Sequence, residues 1–227
     1  MTTTAASPAA PRRRLTAARR RRQLIDVALE TFADSGYTAT TMEDIATAAG
    51  VTKPLLYQHF TSKRALYLEL IDDVTERLVE ALSSAAGRET AFRGQVEAGM
   101  YAYFRFTIEN QAAVRMLYAA PPDEELARGL RSIESAIAQF ISPLINADID
   151  DDHRDTLAIA VVGMAEGVTR HWLRQRQQAG ASVENEAMVL ARRVAEFAWA
   201  GLRGLHRLDR MRGAKAHSPC QDLHSAA

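Results

Sequence analysis

Apolar positions along the chain recur at helical spacing almost throughout. Leu24, Val27, Ala28 and Phe32 mark one face of an amphipathic helix that stops near Ser35–Gly36. Met42, Ile45 and Ala46 mark a short helix, and Leu56 and Phe60 a second one. A long helix is predicted from Thr61 to about Leu82, ending at the Ser83–Gly87 break. Further helices are expected over 90–110, 111–118, 123–145, 152–178 and 183–207. Ala119–Pro122, Asp148–Asp152 and Gly180–Ser182 separate them, and no stretch shows the two-residue alternation of a half-buried strand. The expected fold is therefore all-α with about nine helices.

The punctuation between Thr41 and Lys63 is specific. Thr41 precedes an apolar face and Asp44 follows three residues later, close to a capping box with Asp for the usual Glu. Gly50 stands where a helix would end on a left-handed residue, and Val51 can fill the corner. Thr52 is a suitable N-cap and Pro54 falls in the next first turn. Two short helices joined by a tight turn, with a third starting at Ser62, form the layout of a helix-turn-helix. Such a unit places its second helix in the DNA major groove.

These residues resemble the TetR/AcrR family of bacterial one-component regulators. The phrases are Ala28, Phe32 and Gly36–Tyr37; Thr40–Thr41; Ala46 and Ala49–Gly50–Val51; Leu56–Tyr57–Gln58–His59–Phe60; and Ser62–Lys63 with Leu66. The resemblance implies that Thr41 touches phosphate and that Thr52 and Lys53 face bases or phosphate. Leu55 and Gln58 would face the groove, and Tyr57, His59 and Lys63 would hold the DNA backbone. Lys53 and Gln58 are then the candidates for reading sequence, since Lys can contact guanine and Gln can pair with adenine. Pro54–Leu55 departs from the Gly-Thr or Pro-Thr of many members, so a base contact from Leu55 would be apolar.

Charge sharpens this picture. The whole chain is neutral, yet residues 1–65 carry ten basic and five acidic side chains, a net of +5 that leaves −5 for the remainder. A basic head on an acidic body suits a DNA reader with a second function. The expected organisation is a disordered basic arm (1–18), a three-helix DNA-binding domain (19–66), a larger helical ligand-binding and dimerisation domain (67–207) and a disordered tail (208–227). Phosphate or minor-groove contact by the Arg12–Arg22 arm and a solvated, floppy arm are both open. The lone Cys220 supplies no disulfide framework, and no apolar run spans a membrane or follows the N-terminal arginines as a secretory signal would. A cytoplasmic location without membrane partners is expected.

In the body, aromatic and methionine residues crowd more than one helix face. Most would be core, but Tyr103, Phe104, Met116, Tyr118, Phe140, Met164, His171 and Trp172 could enclose a small, mainly apolar effector. Ala160, Gly163 and Gly167 form a strip without side-chain bulk, echoed by Gly201 and Gly204 beside Phe197. Interior glycines cost about 1 kcal/mol each, which close helix approach would explain. The resemblance implies that these two helices form a homodimer interface; tight packing within one subunit is the alternative. A dimer would read a two-fold symmetric site on double-stranded DNA.

No phosphate loop, nucleophile elbow or His-Glu-x-x-His is present, and the histidines lack metal-ligand spacing, so no enzyme activity, cofactor or metal is expected. The sequence thus points to a ligand-responsive transcriptional regulator, a repressor by preference, with an activator or a ligand-independent architectural DNA binder as alternatives.

Overall fold

The computed structural model describes residues 16–119, 123–176 and 183–215. Most of the basic arm, the Pro121–Pro122 break, the Gly180–Ser182 break and the end of the predicted tail fall outside them. Within them lie nine α-helices: α1 (Ala17–Ala39), α2 (Met42–Ala48), α3 (Lys53–His59), α4 (Lys63–Ala86), α5 (Phe92–Glu109), α6 (Gln111–Tyr118), α7 (Glu124–Ile141), α8 (Asp151–Arg176) and α9 (Val183–Lys215). A short 3-10 turn, Ser142–Leu144, follows α7.

Several boundaries differ from expectation: α4 runs through most of the expected Ser83–Gly87 break to Ala86, and α7 ends at Ile141, short of Ile145. Helix α1 begins at Ala17, inside the segment expected to be disordered, because the Thr16 hydroxyl caps it by accepting from the Arg19 amide at 3.3 Å. The backbone of α9 continues to Lys215, past Leu208, where an irregular tail was expected. No Gly or Pro interrupts the chain between Leu205 and Met211, so nothing local stops the helix there.

The two glycines in the left-handed region do what the sequence asked of them. Gly36 (φ +76°) breaks the end of α1, and Gly50 (φ +64°) closes α2. At Gly50 the Val51 amide donates to the Ala46 carbonyl and the Gly50 amide to the Thr47 carbonyl, both at 3.0 Å. That is the Schellman pair, and it turns the chain into α3. At the other end of α2 the capping box is complete: the Thr41 hydroxyl accepts from the Asp44 amide, and the Asp44 carboxylate accepts from the Thr41 amide.

Leu24, Ala28 and Phe32 of α1 are buried with Ile45, Leu56 and Leu66, so three short elements share one core with the start of α4. Burial of each large side chain contributes about 1.5–3 kcal/mol, enough to hold helices of seven residues that would not persist alone. The same apolar cluster continues along α4 through Leu70, Val74, Leu78 and Leu82 into the body. There α5 packs between α4 and α9, and α7 packs against α4 and α8. Helix α6 lies against α1. Ion pairs join the head to α6 and α7: Arg64 with Asp123 (2.6 Å) and Glu125, and Arg115 with Asp34 (3.1 Å) and Glu30 (3.6 Å).

Candidate DNA-reading surface and body cavities

Helix α3 is anchored by one face only. Leu56 is fully buried and the following Phe60 nearly so, which leaves Thr52, Lys53, Tyr57 and Gln58 exposed. Leu55 and His59 are half-buried. The Thr52 side chain makes no cap hydrogen bond, so its hydroxyl is available at the start of the helix. Lys53 reaches Glu43 of α2 at 3.4 Å, an exposed pair that screening keeps weak. Tyr57, 44% exposed, stands out from the surface.

Two of the residues expected to contact DNA, Lys63 and Thr41, also have partners within the fold. Lys63 donates to the carbonyls of Tyr37 and Thr40, both at 2.8 Å, and lies 4.3 Å from the centre of the Tyr37 ring. It holds the corner after α1. The Thr41 hydroxyl accepts from the Asp44 amide and donates to the Asp44 carboxylate at 2.7 Å, so it is committed to the cap. That hydrogen bonding holds the Asp44 carboxyl below its usual range. Two arginines of the basic segment also turn inward: Arg21 pairs with Glu69 (2.8 Å) and lies 4.7 Å from the Phe60 ring centre, while Arg22 pairs with Asp26 and Asp73.

The body holds a small apolar cavity of about 60 Å³. Its wall takes Leu82 and Ala86 from α4, Met100 and Tyr103 from α5, Phe140 from α7 and Leu202 from α9. Beside it is a second cavity that shares Tyr103 and Ile137 and is partly polar: Tyr118, Glu134, Glu166 and Arg170 join its lining. The Tyr103 and Tyr118 hydroxyls are 3.3 Å apart, and burial pushes the pKa of both upward, so both stay neutral. Burial, with Glu134 nearby, raises the Glu166 carboxyl to about 7. A third, more open cavity shares Tyr118 and Arg170 and adds Arg115, Trp172 and Arg174.

Of the eight effector residues read from the sequence, Tyr103, Tyr118, Phe140 and Trp172 line these cavities. The other four lie off these linings. Phe104 and Met116 are fully buried core, Met164 packs half-buried against the cluster, and His171 is exposed on α8. The aromatic pattern could not separate cavity wall from core, because both demand apolar side chains. Glu134, Glu166, Arg170 and Arg115 were missed. For Glu166 and Arg170 the signal was charge beside a buried strip: Ala158, Val162, Ala165 and Thr169 trace the inner face of α8, and both sit next to it.

On the outside, Ala160, Gly163, Gly167 and Gly201 are exposed and Gly204 is half-buried. Nothing lies within 4 Å of where a Cβ would sit on any of the four glycines. Packing within one subunit therefore does not explain them. Beside them Phe197 is 73% and Ile159 61% exposed, an apolar face on α8 and α9 that the described residues leave uncovered. No described helix is long and apolar enough to cross a membrane.

Comparison with known proteins agrees with this architecture. Residues 24–70 match the family described as bacterial regulatory proteins, tetR family. The HTH-type transcriptional activator FasR of Mycolicibacterium smegmatis is 30% identical over 184 residues, covering 79% of this chain and 81% of that one. A TetR-like transcriptional regulator from Rhodococcus sp. RHA1 superposes with a TM-score of 0.66 at 27% identity, over 84% of this chain and 100% of the other. The regulator FadR from Bacillus subtilis, solved in complex with stearoyl-CoA, shares the fold at a TM-score of 0.66 and 16% identity, over 78% and 96% of the two chains. A helix-turn-helix head on a cavity-bearing helical body, together with identity of this extent, shows that the chain belongs to the TetR family of DNA-binding transcriptional regulators.

Proposed function

We propose that the protein is a homodimeric regulator that occupies a two-fold symmetric operator when free and leaves it when a small, mainly apolar effector enters the body. One observation carries this reading: α4 starts in the head, at the Ser62 cap beside α3, and ends as a wall of the apolar cavity at Leu82 and Ala86. A ligand that prefers a different tilt of α4 would change the separation of the two recognition helices. Only such differential affinity can shift the population. Residues 19–66 would read DNA and residues 67–207 would bind effector and dimerise. Lys53 and Gln58 would contact bases, with Thr52, Leu55, Tyr57 and His59 around them. The face around Gly163, Gly167, Phe197 and Gly201 would join the two copies. FadR, with stearoyl-CoA in the same fold, is consistent with an effector that carries a long apolar chain.

Release from an operator that overlaps a promoter makes this a repressor. The named relative FasR is an activator, which favours activation as the second reading. The test is selection of random DNA with the full chain, followed by a salt titration on the selected and a scrambled sequence. A palindromic site bound more than about a thousandfold tighter than the control supports a specific dimeric regulator. Equal affinity for both would sink it and leave an architectural DNA binder.

A further inference from the structure

The three body cavities adjoin one another and differ in chemistry. The first is apolar, with Gln95 and Tyr103 as polar wall residues. The middle one carries Glu134, Glu166 and Arg170. The outer one, more open to solvent, is lined by Arg115, Arg170 and Arg174 and, among the described residues, by no Asp or Glu. Tyr103 lines the first two and Tyr118 the last two, so the lining grades from apolar to basic across neighbouring cavities.

Arg115 has a second attachment. From α6 it reaches across to the head, where its guanidinium pairs with Asp34 at 3.1 Å and Glu30 at 3.6 Å on α1. All three side chains are about half exposed or more, so solvent screens the pair and it is easily displaced. We propose that the arginine-lined outer cavity binds an anionic headgroup at the end of the apolar effector, and that binding draws Arg115 away from Glu30 and Asp34, loosening the head from α6. This rests on the effector reading above and specifies its polar end and its route to the head.

The chemistry favours an anion. Guanidinium groups hold phosphate or carboxylate through paired N–H donors, more strongly than neutral partners. Arg170 is placed for this, stacked 5.4 Å from the Tyr118 ring centre, with Glu166 at 3.9 Å as its listless rival for the same charge. A headgroup that bridged Arg170 and Arg115 would gain two cations, while α1 would lose its partner on α6.

The experiment uses the full chain and three probes with the same tail, each below its micelle concentration: dodecyl phosphate, dodecanol and dodecyltrimethylammonium. Tryptophan fluorescence reports both ends of the series, because Trp172 lines the outer cavity and Trp199 meets Phe92 of the inner wall at 5.8 Å. Dodecyl phosphate should bind more than about tenfold tighter than dodecanol, and the cation more weakly than either. Arg115→Gln should erase most of that preference, leave dodecanol affinity unchanged and stop dodecyl phosphate from lowering affinity for the selected DNA site. The Glu30→Gln/Asp34→Asn double variant should bind dodecyl phosphate more tightly, since Arg115 is then uncontested. Equal affinity for phosphate and alcohol, or an unchanged DNA response in Arg115→Gln, would overturn the proposal while the apolar cavity reading stands. Binding of none of the three probes would overturn both.

Discussion

Lys63 donates to the Tyr37 carbonyl at 2.8 Å while its ammonium lies 4.3 Å from the centre of the same residue's ring. One side chain thus satisfies an orphan carbonyl at the end of α1 and stacks on the aromatic beside it. Charge-assisted hydrogen bonds and a partly desolvated cation–π contact are each worth about 1–3 kcal/mol. Lys63→Ala should therefore lower the stability of the head by about 2 kcal/mol, read as a fall in the denaturant midpoint. The salt dependence of DNA binding by the folded variant should stay as it was. A slope reduced by about one ion would return Lys63 to the phosphate backbone.

Glu43 competes with DNA for Lys53. The 3.4 Å pair is exposed on both sides and adds little to stability. Its cost falls on binding, because the carboxylate repels phosphate and occupies the cation. Glu43→Gln should raise affinity for every DNA sequence by about threefold at low salt, with the gain fading as salt is added. Gln58→Ala should act differently, relaxing preference at one base position per half-site at a cost of about 1–3 kcal/mol. Equal losses on selected and scrambled DNA would show that Gln58 touches the backbone instead.

The head was legible in the sequence because its signals are local. Thr41 with Asp44, Gly50 with Val51, and Thr52 with Pro54 each depend on neighbours within a few residues, and the structure forms the turn they encode. What Lys63, Arg21 and Arg22 meet within the fold was not legible, for the opposite reason. Their partners lie far along the chain, at Tyr37, Glu69 and Asp73, and a basic residue looks the same whether it meets a carbonyl, a carboxylate or a phosphate. In the body, helix boundaries were readable from periodicity, but which of Tyr103, Phe104 and Phe106 faces a cavity depends on how α5 sits between α4 and α9.

Phe197 offers a direct test of assembly. A ring that is 73% exposed beside glycines with nothing over them is costly in a monomer and favourable when a second copy covers it. Phe197→Asp should give a monomer by light scattering with an unchanged helical signal, since the side chain supports nothing within its own chain. Affinity for a palindromic site should then fall more than about a hundredfold, as one head reads only a half-site. A Phe197→Asp protein that remained a dimer would move the interface elsewhere.

Glu166 should make stability fall as pH rises. Burial comes first, then Glu134, in raising its carboxyl from the usual 4.5 to about 7, with Arg170 opposing. Tyr103 and Tyr118 complete the surroundings and stay neutral. Between those two values the folded state holds a proton that the unfolded state has released. Folding is therefore progressively penalised from pH 4.5 upward, and the full cost is present above pH 7. The ceiling on that cost is about 3 kcal/mol. Glu166→Gln keeps the shape and removes the ionisation, so it should raise the melting temperature at pH 8 by about 4 °C or more and change it little at pH 4.5. A variant less stable than the parent at pH 8 would mean that the ionised carboxylate is held by Arg170 at 3.9 Å strongly enough to outweigh its burial.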